Sequence, residues 1–199
     1  MRSVFTPVTT NQADRWATAL DPAAQTVWRA LATVTDPEIP VLNIVEMGLV
    51  REVSFRDGHA VSAADAATPD EGATATTSTV HVVITPTFSG CPALHVIEEN
   101  VASAVRDAGF MAVEVSSRLS PPWSTDDMTE EARRKLEAFG IAPPQPHGGL
   151  LQIALDAPVR CPRCGHPDTR LRNPFGSALC REIRTCQGCH ETFERFKPL

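Results

Sequence analysis

The stretch Thr79-Val-His-Val-Val-Ile-Thr85-Pro-Thr-Phe-Ser-Gly-Cys91-Pro-Ala-Leu-His-Val-Ile-Glu-Glu-Asn-Val-Ala-Ser-Ala-Val-Arg-Asp-Ala108 changes its hydrophobic period once. Its first seven residues are rich in β-branched side chains and read as a strand. After Gly90 the apolar positions Leu94, Ile97, Val101, Val105 and Ala108 fall on one helical face, and Gly109 supplies a stop. A strand feeding a helix through a glycine turn places Cys91 at the helix N-terminus. Unpaired amides and the helix dipole there are expected to favour a thiolate.

Working outward, residues 49–56 read as a strand antiparallel to the first, and residues 110–117 as a third strand. Upstream, Asp21 as N-cap and Pro22 at the first helical position open a helix carrying Val27, Leu31 and Val34, which should stop near Thr35. The prolines of Asp36-Pro-Glu-Ile-Pro40 remove donors and disfavour helix, so this is a stiff loop bearing two carboxylates. The order helix, strand, strand, helix, strand predicts an α+β domain, a small sheet with helices on one side. Residues 62–78, nearly all small or polar, read as an insertion between the first two strands.

Downstream, a helix is expected over 128–139, with Ser124 and Thr125 as cap candidates and Gly140 as its end. Pro and Gly dominate 142–149 and mark a boundary. Three segments result: an assembly-type domain at 22–118, a helical connector at 119–158, and a module at 159–199.

That last module contains Cys161-Pro-Arg-Cys164 and Cys186-Gln-Gly-Cys189. Each pair sets two thiolates on one knuckle, and two knuckles close a tetrahedral shell around Zn²⁺, so Cys161, Cys164, Cys186 and Cys189 are the expected structural metal ligands. Rubredoxin-like iron uses the same ligands, but zinc is redox-neutral. With no open position, the ion folds the module rather than reacting. His166 and His190 flank the knuckles and are read as orienting or shielding groups. Cys180 lies outside both pairs, either as a small buried hydrophobe or as an accessory thiol.

The 199 residues suit one core plus an appendage, and the net charge of −6 is uneven. Residues 159–199 carry eight basic against four acidic side chains, so the remainder is strongly acidic. Such a basic module suits an acidic partner, nucleic acid or protein. Residues 1–16 hold no continuous apolar segment and none of membrane-spanning length comes later, so a cytoplasmic protein away from the membrane is expected. Paired Cys-x-x-Cys motifs without a secretion signal favour metal over disulfides.

Asp36-Pro-Glu-Ile-Pro-Val-Leu-Asn-Ile-Val-Glu-Met-Gly-Leu-Val-Arg51 together with Thr85-Pro-Thr-Phe-Ser-Gly-Cys-Pro-Ala93 resembles the domain of SufT-type iron-sulfur assembly factors. Joined to a four-cysteine ribbon containing Phe175-Gly-Ser-Ala-Leu-Cys180 and ending Phe193-Glu-Arg-Phe-Lys197, it is similar to the PaaD family of accessory subunits of the phenylacetyl-CoA epoxidase system. The resemblance implies a non-catalytic maturation factor in aerobic phenylacetate degradation. Its clients would be the diiron oxygenase subunit and the [2Fe-2S] reductase. It also implies that Asp36, Glu38 and Cys91 handle transient iron or a [2Fe-2S] cluster. One cysteine and two carboxylates are too few for a cluster, so a homodimer or the client must complete the shell. Two rivals are weighed beside this: a zinc-ribbon nucleic-acid or protein-interaction module, and an enzyme using Cys91 as nucleophile with His95 and Asp36.

Overall fold

The computed structural model describes residues 21–56, 78–145 and 158–198. The expected insertion, apart from Ser78, and much of the 142–149 boundary lie outside these residues.

Helix α1, Pro22–Leu31, starts where its sequence dictates: Asp21 Oδ1 accepts from Ala23 N at 2.9 Å and Pro22 needs no partner. It turns Val27, Trp28 and Leu31 inward and ends a turn earlier than Thr35. Strands β1 (Val50–Arg56) and β2 (Thr79–Ile84) pair antiparallel, and β3 (Val113–Ser117) joins β2 in parallel, in the order β1-β2-β3. The parallel pair needs a crossover, supplied by helix α2, Leu94–Asp107. Ile97, Val101 and Val105 of α2 and Val80, Val82 and Ile84 of β2 share the core with α1. The expected α+β layout is present, helices covering one face of a small sheet.

The segment between α1 and β1 is irregular yet buried, with Ile39, Leu42, Ile44, Met47 and Leu49 all nearly inaccessible. Buried irregular backbone must find partners for its polar groups. Asn43 Oδ1 accepts from the amides of Val45 and Glu46 at 3.0 and 2.9 Å, while Glu46 Oε1 accepts from Asn43 N at 2.8 Å.

Beyond β3 the chain is pinned to this segment. Trp123 Nε1 donates to Met47 O at 2.9 Å, Thr129 N donates to Glu46 O at 2.9 Å, and Lys135 Nζ meets Glu46 Oε2 at 2.7 Å. Arg51 pairs with Asp127 at 2.8 Å, and the chain passes so close to Gly48 (φ +77°) that a Cβ there would lie 2.4 Å from Asp127 O. Ser124 caps a short 3₁₀ turn, Thr125–Asp127, and the helix proper, α3 (Glu130–Phe139), is capped by Thr129 and closed by left-handed Gly140. The cap is therefore Thr129 rather than Ser124 or Thr125, because the 3₁₀ turn takes Ser124 for itself.

Strands β4 (Ile141–Ala142), β5 (Thr169–Asn173), β6 (Arg181–Cys186) and β7 (Thr192–Phe196) form a second sheet in the order β4-β7-β6-β5. Strand β4 directly follows α3 and pairs in parallel with β7, so the connector supplies the ribbon's edge strand. Ala178, Cys180 and Phe196 enter the same buried cluster as α1, β2 and α3, and the Trp123 and Phe196 rings lie 5.7 Å apart. Among the described residues no helix is long and apolar enough to cross a membrane.

Candidate functional site

The two knuckles meet at the end of the ribbon sheet. Gly165, in left-handed geometry, donates to Cys161 O at 2.8 Å and closes the first turn. In the second, the amides of Gly188 and Cys189 point at Cys186 Sγ at 3.3 and 3.4 Å. Those two donors hold the Cys186 thiol down at about 6, the Cys189 amide contributing most. The sulfurs of Cys161, Cys164, Cys186 and Cys189 all lie within 4.8 Å of one another. Cys161 and Cys189 stand 3.8 Å apart and Cys164 and Cys186 3.6 Å, far beyond a disulfide bond. Four thiolates at a Zn–S length of about 2.3 Å define a tetrahedron whose edges are about 3.8 Å, so the donor set fits zinc in type, number and spacing. The imidazole of His166 lies over the second knuckle: a Cβ on Gly188 would meet it at 2.7 Å.

A second neighbourhood forms at the Asp36–Pro40 loop. Asp36 Oδ1 accepts from Glu38 N at 2.7 Å and Ile39 N at 3.0 Å, the two amides the prolines leave to be satisfied. Buried Ile39 and Leu42 anchor the loop from within, and Asp36 itself is only 7% exposed. Burial raises the Glu38 carboxyl, the Asp36 charge adds to this, and Arg181 opposes it. Arg181, between strands, pairs with Glu194 at 2.6 Å and donates to Glu38 O at 3.2 Å, fastening the ribbon to the loop.

Cys91 lies on this loop's other flank, half-buried. Its thiol is raised, contrary to the sequence expectation. Burial is the main cause, and the charges of Asp36 and Glu38 add to it, outweighing the Ala93 and Leu94 amides. The reason is geometric: α2 begins at Leu94, so Cys91 sits three residues before the helix, facing carboxylates as well as amides. Cys180 approaches the same carboxylates from the ribbon. Burial, then Asp36, push its thiol up to about 12, with Glu38 adding and Arg181 opposing. Asp36, Glu38, Cys91 and Cys180 thus share one electrostatic neighbourhood. His95 does not join them: it is exposed and pairs with Glu99 at 3.2 Å on the surface of α2. Sequence reasoning missed Arg181 and Glu46, whose partners are 143 and 89 residues away. Their residue types alone carry no signal of such pairing.

The ribbon's charge is also partly spent internally. Arg181, Arg184 and Arg195 are buried against Glu194 and Glu182.

Comparison with known proteins covers both modules. A family model described as an iron-sulfur cluster assembly protein matches residues 24–62, and one described as the PaaD zinc beta ribbon domain matches residues 147–197. The Fe-S protein maturation auxiliary factor YitW of Bacillus subtilis (strain 168) is 30% identical over 110 residues, 55% of this chain and 88% of that protein. A solved domain of unknown function, DUF59, from Bacillus anthracis aligns at 26% identity and a TM-score of 0.42, covering 56% of this chain and 89% of that one. A protein of Escherichia coli (strain K12) that is named as a subunit of 1,2-phenylacetyl-CoA epoxidase is 37% identical over 188 residues, 92% of this chain and 98% of that protein. With similarity running through both modules and nearly the whole of both chains, this protein belongs to the PaaD family.

Proposed function

We propose that this chain is a non-catalytic accessory subunit of a cytoplasmic phenylacetyl-CoA epoxidase system, and that it delivers iron or a [2Fe-2S] cluster to the reductase or the diiron oxygenase subunit. The observation that carries the reading is the placement of Cys91 beside Asp36 and Glu38. These charges discourage a bare thiolate, yet they are the charges that attract a cation. Cys91 is thus a protonated thiol when the site is empty and a thiolate ligand once an ion arrives, its proton passing to solvent. Carboxylates and one thiol make an incomplete shell for a cluster, which favours release to a client offering more ligands. The ribbon cysteines Cys161, Cys164, Cys186 and Cys189 hold structural zinc, which keeps the second sheet folded and presents it to the client.

The rivals lose support. A nucleic-acid role needs free cations, and three of the ribbon's arginines are committed to glutamates. A nucleophilic enzyme needs a base beside Cys91, and His95 is engaged with Glu99 on an exposed face. The test is anaerobic co-purification with the reductase and oxygenase, followed by metal analysis. Wild type should carry substoichiometric iron in the complex and Cys91→Ser none. Equal iron in both would reject the role of Cys91.

A further inference from the structure

Cys180 is not part of the ribbon's four-sulfur group. Its carbonyl accepts from Lys197 N at 2.9 Å, and the next residue, Arg181, reaches Glu38 O at 3.2 Å. These contacts fix Cys180 at the seam where the ribbon meets the Asp36–Pro40 loop. It shares a buried cluster with Ile39, and Cys91 packs against that cluster from the other module. The Asp36 and Glu38 charges act on both sulfurs. Asp36 Oδ1 is spent on two amides, while its Oδ2 meets no donor among the described residues. Filling space explains why Cys180 is buried, but not why a thiol is set against carboxylates that an alanine would tolerate as well.

We propose that Cys180 is the second thiol of a metal-transfer site built across the two modules. Cys91 and Cys180 supply sulfur and Asp36 and Glu38 supply oxygen to a single divalent ion of borderline softness, iron(II) as cargo. The proposal rests on the reading of Cys91 given above and deepens it, because the ribbon then contributes a ligand as well as a docking surface. The four donors are not gathered as tightly as the ribbon sulfurs, which lie within 4.8 Å of one another. The ion must draw them together, and such an open set suits a site that releases its occupant. Mixed sulfur and oxygen donors suit iron(II) and cobalt(II) and give no advantage to magnesium or calcium.

The test titrates cobalt(II) anaerobically into the full chain with its ribbon already loaded with zinc, which cobalt displaces poorly. Wild type should bind one further equivalent, with a thiolate-to-cobalt charge-transfer band. Cys180→Ala and Cys91→Ser should each lose about half the band intensity and weaken binding at least tenfold. Cobalt should also slow maleimide labelling of both Cys91 and Cys180 in the unmutated protein, a readout that does not depend on a variant folding. Full band intensity in Cys180→Ala, unprotected Cys180 labelling, or no band in wild type would each overturn the proposal. If Cys91→Ser abolishes iron delivery while Cys180→Ala leaves both cobalt binding and delivery intact, the second-thiol assignment fails and the role of Cys91 stands.

Discussion

Position relative to a helix start decides the chemistry of Cys91. The Gly90-Cys91-Pro92 motif was legible in the sequence, and so was the helix after it. The offset of three residues was not, because the boundary depends on where the backbone bonds begin. Its consequence is measurable: alkylation of Cys91 by iodoacetamide should be slow at neutral pH and rise with pH through a midpoint above the usual thiol range. Fast labelling at neutral pH would restore the helix-dipole thiolate. Cys180 gives a stability signature. Its folded thiol sits at about 12 against an ordinary 9, so the folded form keeps a proton that the unfolded form gives up. Its contribution is intact below about pH 9 and is lost as pH rises towards about 12. The urea midpoint of wild type should fall across that window more steeply than that of Cys180→Ala, and a chain without tyrosine keeps phenol titration out of the comparison. At Gly48, left-handed backbone and the 2.4 Å approach to Asp127 O leave no room for a methyl group. Gly48→Ala should cost about 2–5 kcal/mol, read as a lowered Tm.

At the scale of elements, the helices and strands followed from period, caps and prolines, because those signals are local. The connector shows where local signals end. Its helix was legible, but its docking was not, since Trp123, Thr129 and Lys135 find their partners at Met47 and Glu46, far back in the chain. Trp123→Phe should keep most of the packing against Phe196 and leave Met47 O without its donor. The expected loss is about 1–3 kcal/mol in chemical denaturation. A neutral result would mean that solvent replaces the bond and that the connector is looser than described.

For the molecule as a whole, the shared cluster makes the two modules mechanically one. Phe196 is fully buried, and Phe196→Ala should cost about 3–5 kcal/mol. Stripping zinc with a chelator should lower the unfolding temperature reported by Trp28 and Trp123, because the ribbon carries Ala178, Cys180 and Phe196 into the common core. An assembly domain indifferent to chelation would contradict that coupling. The four-cysteine centre was fully legible from its spacing, whereas the meeting of Cys180 with the Asp36 loop was not. It depends on Arg181 spanning two modules 143 residues apart. The central claim, that Cys91 handles the metal, is tested most directly in cells producing the epoxidase with either wild type or Cys91→Ser. The account predicts normal accumulation of the variant, with reductase cluster content and epoxidase activity reduced at least tenfold. Unchanged cluster content and activity at equal protein levels would contradict it.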